Sequence, residues 1–125
     1  MKRDSYHHGD LKAVILAHAA DLVAERGADG LSLRELARAA GVSHAAPAHH
    51  FADRRGLFTA LAAQGWHMLA VALADARPEF THAALAYVRF AVEHPGHYEV
   101  MFDRSLVHPD DAELVAAQAA AGAEL

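Results

Sequence analysis

The 125-residue chain has no cysteine. That removes disulfides, thiolate catalysis and Cys-type zinc sites, and it suits a reducing compartment. No uninterrupted apolar run reaches the roughly 18 residues of a membrane span. The opening MKRDSYHHGD is too polar for a secretory signal. Positive charge is also short: 11 Lys and Arg stand against 16 Asp and Glu, a net charge of −5 with histidine neutral. The serines stand at helix starts, and nothing resembles a nucleophile beside its base, so no catalytic residue and no cofactor are expected. The 11 histidines offer no HExxH spacing. The adjacent pairs His7-His8 and His49-His50 cannot converge on one ion from a helix, so no metal site is expected.

Alanine is plentiful, with 31 residues, and 54% of the chain is apolar. This composition supports a packed core and favours helix over sheet. The pattern predicts an all-α chain. Asp10 caps a helix from Leu11 to about Arg26, ended by Gly27. Asp53 caps a long helix from Arg54 to about Ala76, mildly interrupted at Gly65-Trp66 and stopped by Pro78. Further helices are expected from Thr81 to Glu93, from His97 to about Leu106 after a Pro95-Gly96 break, and from Pro109-Asp110-Asp111 to about Ala121. Residues 1–53 read as one unit with a core of Leu11, Ile15, Leu22, Leu33, Leu36, Val42 and Phe51. Residues 54–125 read as a second helical layer.

The stretch SLRELARAAGVSHAAPAHHF, Ser32 to Phe51, carries the most information. Ser32 and Glu35 have capping-box spacing, and a helix from Leu33 to Ala40 follows. Gly41 supplies the left-handed residue past its end. Ser43 is a second cap, with a short helix from His44 to His50. Helix, glycine turn and helix is the layout of a DNA-binding helix-turn-helix, whose second helix enters the major groove. A plain helical hairpin has the same spacing. The charge distribution bears on the choice, although the positive balance is small. Residues 1–60 hold eight Lys and Arg against seven Asp and Glu, a balance of +1, whereas residues 61–125 hold three against nine, a balance of −6. The first half is the one suited to phosphate.

These motifs resemble those of the TetR family of transcriptional regulators. The similar segments are AERG at Ala24–Gly27, LSLRELARAAGVSHAAP at Leu31–Pro47 and HHFADRRGLFTAL at His49–Leu61. YHHGDL at Tyr6–Leu11 and AYVRFAVEHPGHYEVMF at Ala86–Phe102 resemble one subgroup. The resemblance implies a cytoplasmic homodimer that binds double-stranded operator DNA through residues 1–53. A small-molecule effector bound within residues 54–125 would weaken that binding, as in a repressor. Two departures stand out. Ala48 occupies a position where the family usually has an aromatic that touches the DNA backbone. The chain also stops before the two C-terminal helices that commonly pair in the dimer, so it reads as a fragment, as a sequence with residues dropped near Asp75–His82, or as a chain whose stable dimerisation is in doubt.

The expected DNA contacts are Ser32, Arg34, Ser43, His44, Ala45, Ala46, His49 and Arg54. Ser32 and Ser43 stand at helix starts, where free N–H groups favour phosphate. His44 can hydrogen-bond a base edge or phosphate, and Ala45 and Ala46 offer methyl contacts. By the resemblance, Arg54 stands at the family's phosphate-gripping lysine. Lys2, Arg3 and Tyr6 form a basic arm that could reach a groove. Trp66, His67, Phe90, His94, Tyr98, Met101 and Phe102 are the expected lining of the effector pocket, mainly apolar with polar anchors. The alternative function is a helical protein-interaction module that never touches DNA.

Overall fold

The computed structural model describes residues 2–76 and 79–125, with side chains for 11–76 and 79–125. Every regular element among them is helical. In chain order these are α1 (Lys2–Arg26), α2 (Leu33–Ala40), α3 (Ala46–Phe51), α4 (Arg54–Ala76), α5 (Phe80–Glu93), α6 (Pro95–Met101) and α7 (Ala112–Ala123). Tight 3-10 turns occupy Ala28–Gly30 and Arg104–Leu106. The all-α expectation holds.

Helix α4 is the axis of the fold, and α1, α3, α5, α6 and α7 all pack on it. At 23 residues, with a mean hydropathy of 1.5 over its most apolar stretch, it is long and apolar enough to cross a bilayer. The uninterrupted-run criterion missed this because Gln64 and His67 break the run. Its apolarity has a local cause: half of that stretch is buried by its neighbours. Leu57, Phe58, Leu61, Leu69 and Leu73 are fully buried along it, each contributing about 1.5–3 kcal/mol of transfer free energy.

One cluster joins Ile15, Val23, Leu36, Phe51, Leu57, Phe58, Leu61, Val100 and Leu114. It therefore continues across residue 53, from α1–α3 into α4, α6 and α7. Leu11, Leu33 and Val42 are only partly buried against it. A second cluster of Leu69, Leu73, Phe90 and Met101 fills the space between α4, α5 and α6.

Several helix boundaries differ from expectation, each for a physical reason. Helix α1 starts at Lys2, so Asp10 lies inside it and is not its cap. Nothing upstream breaks a helix: there is no proline, and Gly9 costs only about 1 kcal/mol. The side chains of Lys2, Arg3 and Tyr6 lie outside the described residues, as does the stop at Pro78. Gly65 and Trp66 do not interrupt α4. Gly65 is instead where α6 approaches: an added Cβ would sit 2.6 Å from Met101 Sδ. Pro95 does not break the chain into a loop but opens α6, taking the first helical position, where its missing N–H costs nothing. Gly96 then lies against α1, where a Cβ would stand 2.1 Å from the Ala20 carbonyl oxygen.

Candidate nucleic-acid interface and ligand cluster

Local signals set α2. Ser32 Oγ accepts the Glu35 N–H at 3.1 Å, the first half of a capping box. The second half does not form, because the Glu35 carboxylate pairs with Arg26. At the other end Gly41 has φ 70° and ψ 32°. The Val42 N–H reaches the Ala37 carbonyl at 3.0 Å and the Gly41 N–H reaches that of Arg38 at 3.2 Å. This is a Schellman closure, and it turns the chain sharply into α3.

Helix α3 starts at Ala46, two residues later than expected, with Ala45 as an uncapped N-cap. Proline explains the delay. A helix capped by Ser43 would send that residue's carbonyl to the N–H of residue 47, and Pro47 has none. The Ser43 carbonyl takes the Ala46 N–H at 3.1 Å instead, and the first α-helical bond runs from the His49 N–H to the Ala45 carbonyl at 2.9 Å. Of the expected contact residues, Ser32, Arg34, Ser43, His44, Ala45 and His49 are each exposed. Ala46 is not: it is 8% exposed and faces the core with Pro47. Ala48 takes the outward position.

Arg54 also departs from expectation. Its Nε donates to the Leu31 carbonyl at 2.8 Å and its Nη2 donates to the Ala28 carbonyl. The guanidinium lies 4.8 Å from the centre of the Phe58 ring. The side chain is turned inward, holding the turn that precedes α2. The same turn is gripped from α6, where Glu99 Oε2 accepts the Ala28 N–H at 2.7 Å. Sequence reasoning missed Glu99, because a bond spanning 71 positions leaves no local pattern.

The join between α3 and α4 is tight. Asp53 caps α4, its Oδ1 accepting the Gly56 N–H at 2.8 Å. Ala52 has φ 72° and ψ −61°, and the Asp53 N–H bonds the Phe51 carbonyl at 2.9 Å. This is a positive-φ γ-turn, a strained geometry for a residue with a Cβ.

The expected effector residues form an aromatic cluster between α4, α5 and α6. Trp66 and Phe102 stand edge to face with centroids 5.0 Å apart, and Tyr98 lies 4.9 Å from Phe102. Tyr87 and Tyr98 pair their hydroxyls at 3.2 Å. That hydrogen bond, aided by burial, pushes the Tyr87 hydroxyl up to about 12. Phe90 and Met101 are buried, Phe90 lies 5.1 Å from His94, and Trp66 Nε1 is buried without a hydrogen-bond partner. His67 does not join this cluster. It is exposed and lines a groove of about 440 Å³ between α1, α4 and α7, with Lys12 and Glu113. His97 is the buried polar residue of α6, its Nε2 2.7 Å from Gln64 Oε1. Burial, then the nearby His94, holds its pKa below the ordinary histidine range, against an opposing pull from Asp21. Among the described residues no group of three or more His, Asp or Glu could hold a metal ion.

Comparison with known proteins agrees with this layout. None of the curated proteins matches the chain. A solved structure of a protein of unknown function from Rhodococcus sp. RHA1 is 43% identical, with a TM-score of 0.76. The match covers 93% of this chain and 64% of that one, so this chain spans less than two thirds of its relative's length. Residues 15–61 match the model for bacterial regulatory proteins of the tetR family, and residues 80–125 match that for a tetracyclin repressor-like C-terminal domain. The chain thus carries both the N-terminal and the C-terminal domain of the TetR family.

Proposed function

We propose that this chain is a DNA-binding transcriptional regulator that reads duplex operator DNA as a homodimer and is released, as a repressor, by a small-molecule effector. The observation that carries the reading is the segment Ser32–Phe51: a capped α2, a left-handed Gly41 and a short α3 that, with its leading turn, exposes Ser43, His44, Ala45, Ala48 and His49. In a dimer the two α3 helices would enter the major groove about one turn apart, roughly 34–36 Å. Arg34 and the α2 N-terminus at Ser32 would meet phosphate. Arg54 acts one step behind the contact, by holding the Ala28–Leu31 turn. The outward face carries few long donors, so base readout is sparse and DNA shape supplies much of the specificity.

The effector reading rests on the α4–α5–α6 cluster, where Trp66 Nε1 is a buried donor without a protein acceptor. A buried unpaired donor costs about 1–3 kcal/mol, and an aromatic ligand bearing an acceptor would satisfy it. Helix α6 and its C-cap residue carry Tyr98, Met101 and Phe102 toward this cluster, and α6 carries Glu99 toward the Ala28 N–H. A ligand that displaced α6 would therefore pull on the turn before α2. It need favour the DNA-incompatible state by only a few kcal/mol.

The test is selection of duplexes from a random-sequence pool, then titration of a labelled selected duplex against a scrambled one at about 150 mM salt. The regulator reading expects an inverted-repeat sequence and selective binding. Failure to enrich any sequence, with binding equal on both duplexes, would favour the second reading, a helical protein-interaction module. One observation speaks for that module: α5 exposes Phe80 at 83% and Val92 at 73%.

A further inference from the structure

We propose that the DNA-facing surface draws its positive charge from histidine, so that the chain binds duplex DNA with His44 and His49 as imidazolium and takes up protons on binding. The inference rests on the DNA-binding reading above and adds to it which groups supply the charge.

Permanent cations are scarce in and around α3. From Ser43 to Phe51 there is no Lys, Arg, Asp or Glu, and three of the nine residues are histidines. The arginines nearby are committed within the fold. Arg26 pairs with Glu35, Arg54 donates to the Ala28 and Leu31 carbonyls, and Arg55 Nη2 reaches the Ser105 carbonyl at 3.2 Å. Lys12 Nζ lies over the Phe51 ring, 5.7 Å from its centre. Arg34 and Arg38 are the exposed arginines of α2. Duplex DNA presents one negative charge per about 1.7 Å of its length. Among the described residues, the two exposed arginines of α2 neutralise little of that.

His44 and His49 are both exposed, on the segment that leads into α3 and on α3 itself. The charged residues of α2 are Arg34, Arg38 and Glu35, the last paired with Arg26. His49 stands edge to face with His50 at 5.2 Å. It lines a groove of about 390 Å³ with Lys12 of α1, His108 and Asp111 of the connection before α7, and Glu113 of α7. Lys12, Asp111 and Glu113 give the groove groups of both signs. A phosphate brought beside either imidazole favours the charged form.

The sign follows from linkage. A histidine whose pKa is higher in the complex than in the free protein tightens binding fully below its free pKa, and this gain is lost as pH rises through the bound pKa. Imidazole titrates between pH 5 and 8, so the effect falls near neutrality. Most DNA-binding surfaces built on Lys and Arg would show no such dependence.

The test measures fluorescence anisotropy of a fluorescein-labelled selected duplex between about pH 8.5 and about pH 6.5 at constant ionic strength. Compared are the wild type, the double variant His44→Gln, His49→Gln, and a control variant, His82→Gln on the exposed side of α5. The wild type and the control are expected to tighten at least about tenfold on acidification, one to two protons per subunit. Their salt dependence should also steepen, by about 0.9 in log–log slope per added phosphate contact. The double variant should lose most of the pH response, whatever its affinity at the alkaline end, with an unchanged thermal midpoint. A wild-type affinity constant within about twofold across the range would overturn the proposal, as would a double variant that keeps the full response. Absence of binding at every pH, for selected and scrambled duplexes alike, would instead sink the DNA-binding reading itself.

Discussion

Helices α3 and α5 each turn one face to solvent, and the two faces differ in kind. The outward side of α3 and its leading turn carries Ser43, His44, Ala45, Ala48 and His49. The outward side of α5 carries Phe80, Leu85, Val88 and Val92, each more than half exposed. The inner attachments differ as well. Around α3 the backbone is fixed by polar bonds from three helices: the Ser32 and Asp53 caps, Arg54 on two carbonyls, and Glu99 on the Ala28 amide. Helix α5 is held by one buried residue, Phe90, and by the tyrosine pair. Orientation is built into the region that would meet a rigid polar lattice, whereas α5 is fastened mainly by side-chain packing.

The largest break in that contrast should come from Gly56→Ala. A Cβ there would stand 1.9 Å from the Phe51 carbonyl oxygen and 3.1 Å from its carbon. Both are backbone atoms of the γ-turn that seats α3, so neither can rotate away. The expected cost is about 3 kcal/mol or more, read from the urea midpoint. Gly122→Ala is the matched control. Its Cβ meets nothing within 4 Å in α7, and the substitution should stabilise by about 0.5–1 kcal/mol. Equal effects at the two sites would mean that the α3 seat yields in solution.

Next in size is the turn before α2. Arg54→Met keeps the stem over Phe58 and removes the donors to the Leu31 and Ala28 carbonyls. Hydrogen bonds to charged groups contribute about 1.5–3 kcal/mol, and Arg54 is only half-buried, so a loss of about 2 kcal/mol is expected. Glu99→Leu frees the Ala28 N–H and should cost about 1 kcal/mol. Because both grip one turn, the double variant should cost less than the sum of the singles. Strict additivity, measured by a double-mutant cycle, would show that the two grips act on separate elements.

These residues mark how far the sequence could be read. The bounds of α2, Leu33 to Ala40, match expectation because the Ser32 cap and Gly41 are local signals. The Asp53 and Asp111 caps are local too. The start of α3 slips from expectation by two residues, because Pro47 lacks the donor that a first turn capped by Ser43 requires. That slip exchanged Ala46 for Ala48 on the outward face. Arg54 was read as a phosphate grip, but the carbonyls that capture it lie 23 and 26 positions away. Pro95-Gly96 read as a break because its meaning depends on α1 lying against Gly96. His67 and Trp66 are neighbours in sequence, yet α4 sends them to different neighbours. Local capping was legible, and contacts between distant helices were not.

A smaller effect tests α6 through His97. Its pKa is held below the ordinary range by burial, so around the free value the unfolded chain binds more protons than the native one. Native stability from this residue is therefore complete above the unfolded pKa and declines as pH falls through it. The thermal midpoint should drop between about pH 7 and about pH 5, partly from carboxylates common to all variants. In His97→Gln, which can keep a bond to Gln64, the drop should be shallower. An identical pH profile for the two proteins would mean that His97 protonates without cost.

The smallest effect is expected on the outward face of α5. Leu85→Gln and Val88→Thr remove apolar groups that are 55% and 58% exposed and touch little of the core. Substitutions at such positions usually stay within about 0.5 kcal/mol, and for a continuous helix the change in propensity is also small. The unfolding midpoint should therefore stay nearly constant, even though both residues are large and apolar. A contiguous apolar surface kept out of the core is unusual on an isolated folded chain and marks places where something else packs. If either variant instead lost more than about 1 kcal/mol at dilute concentration, the α5 face would be covered within the folded chain itself. The contrast with α3 would then be one of burial and not of the partner each face meets.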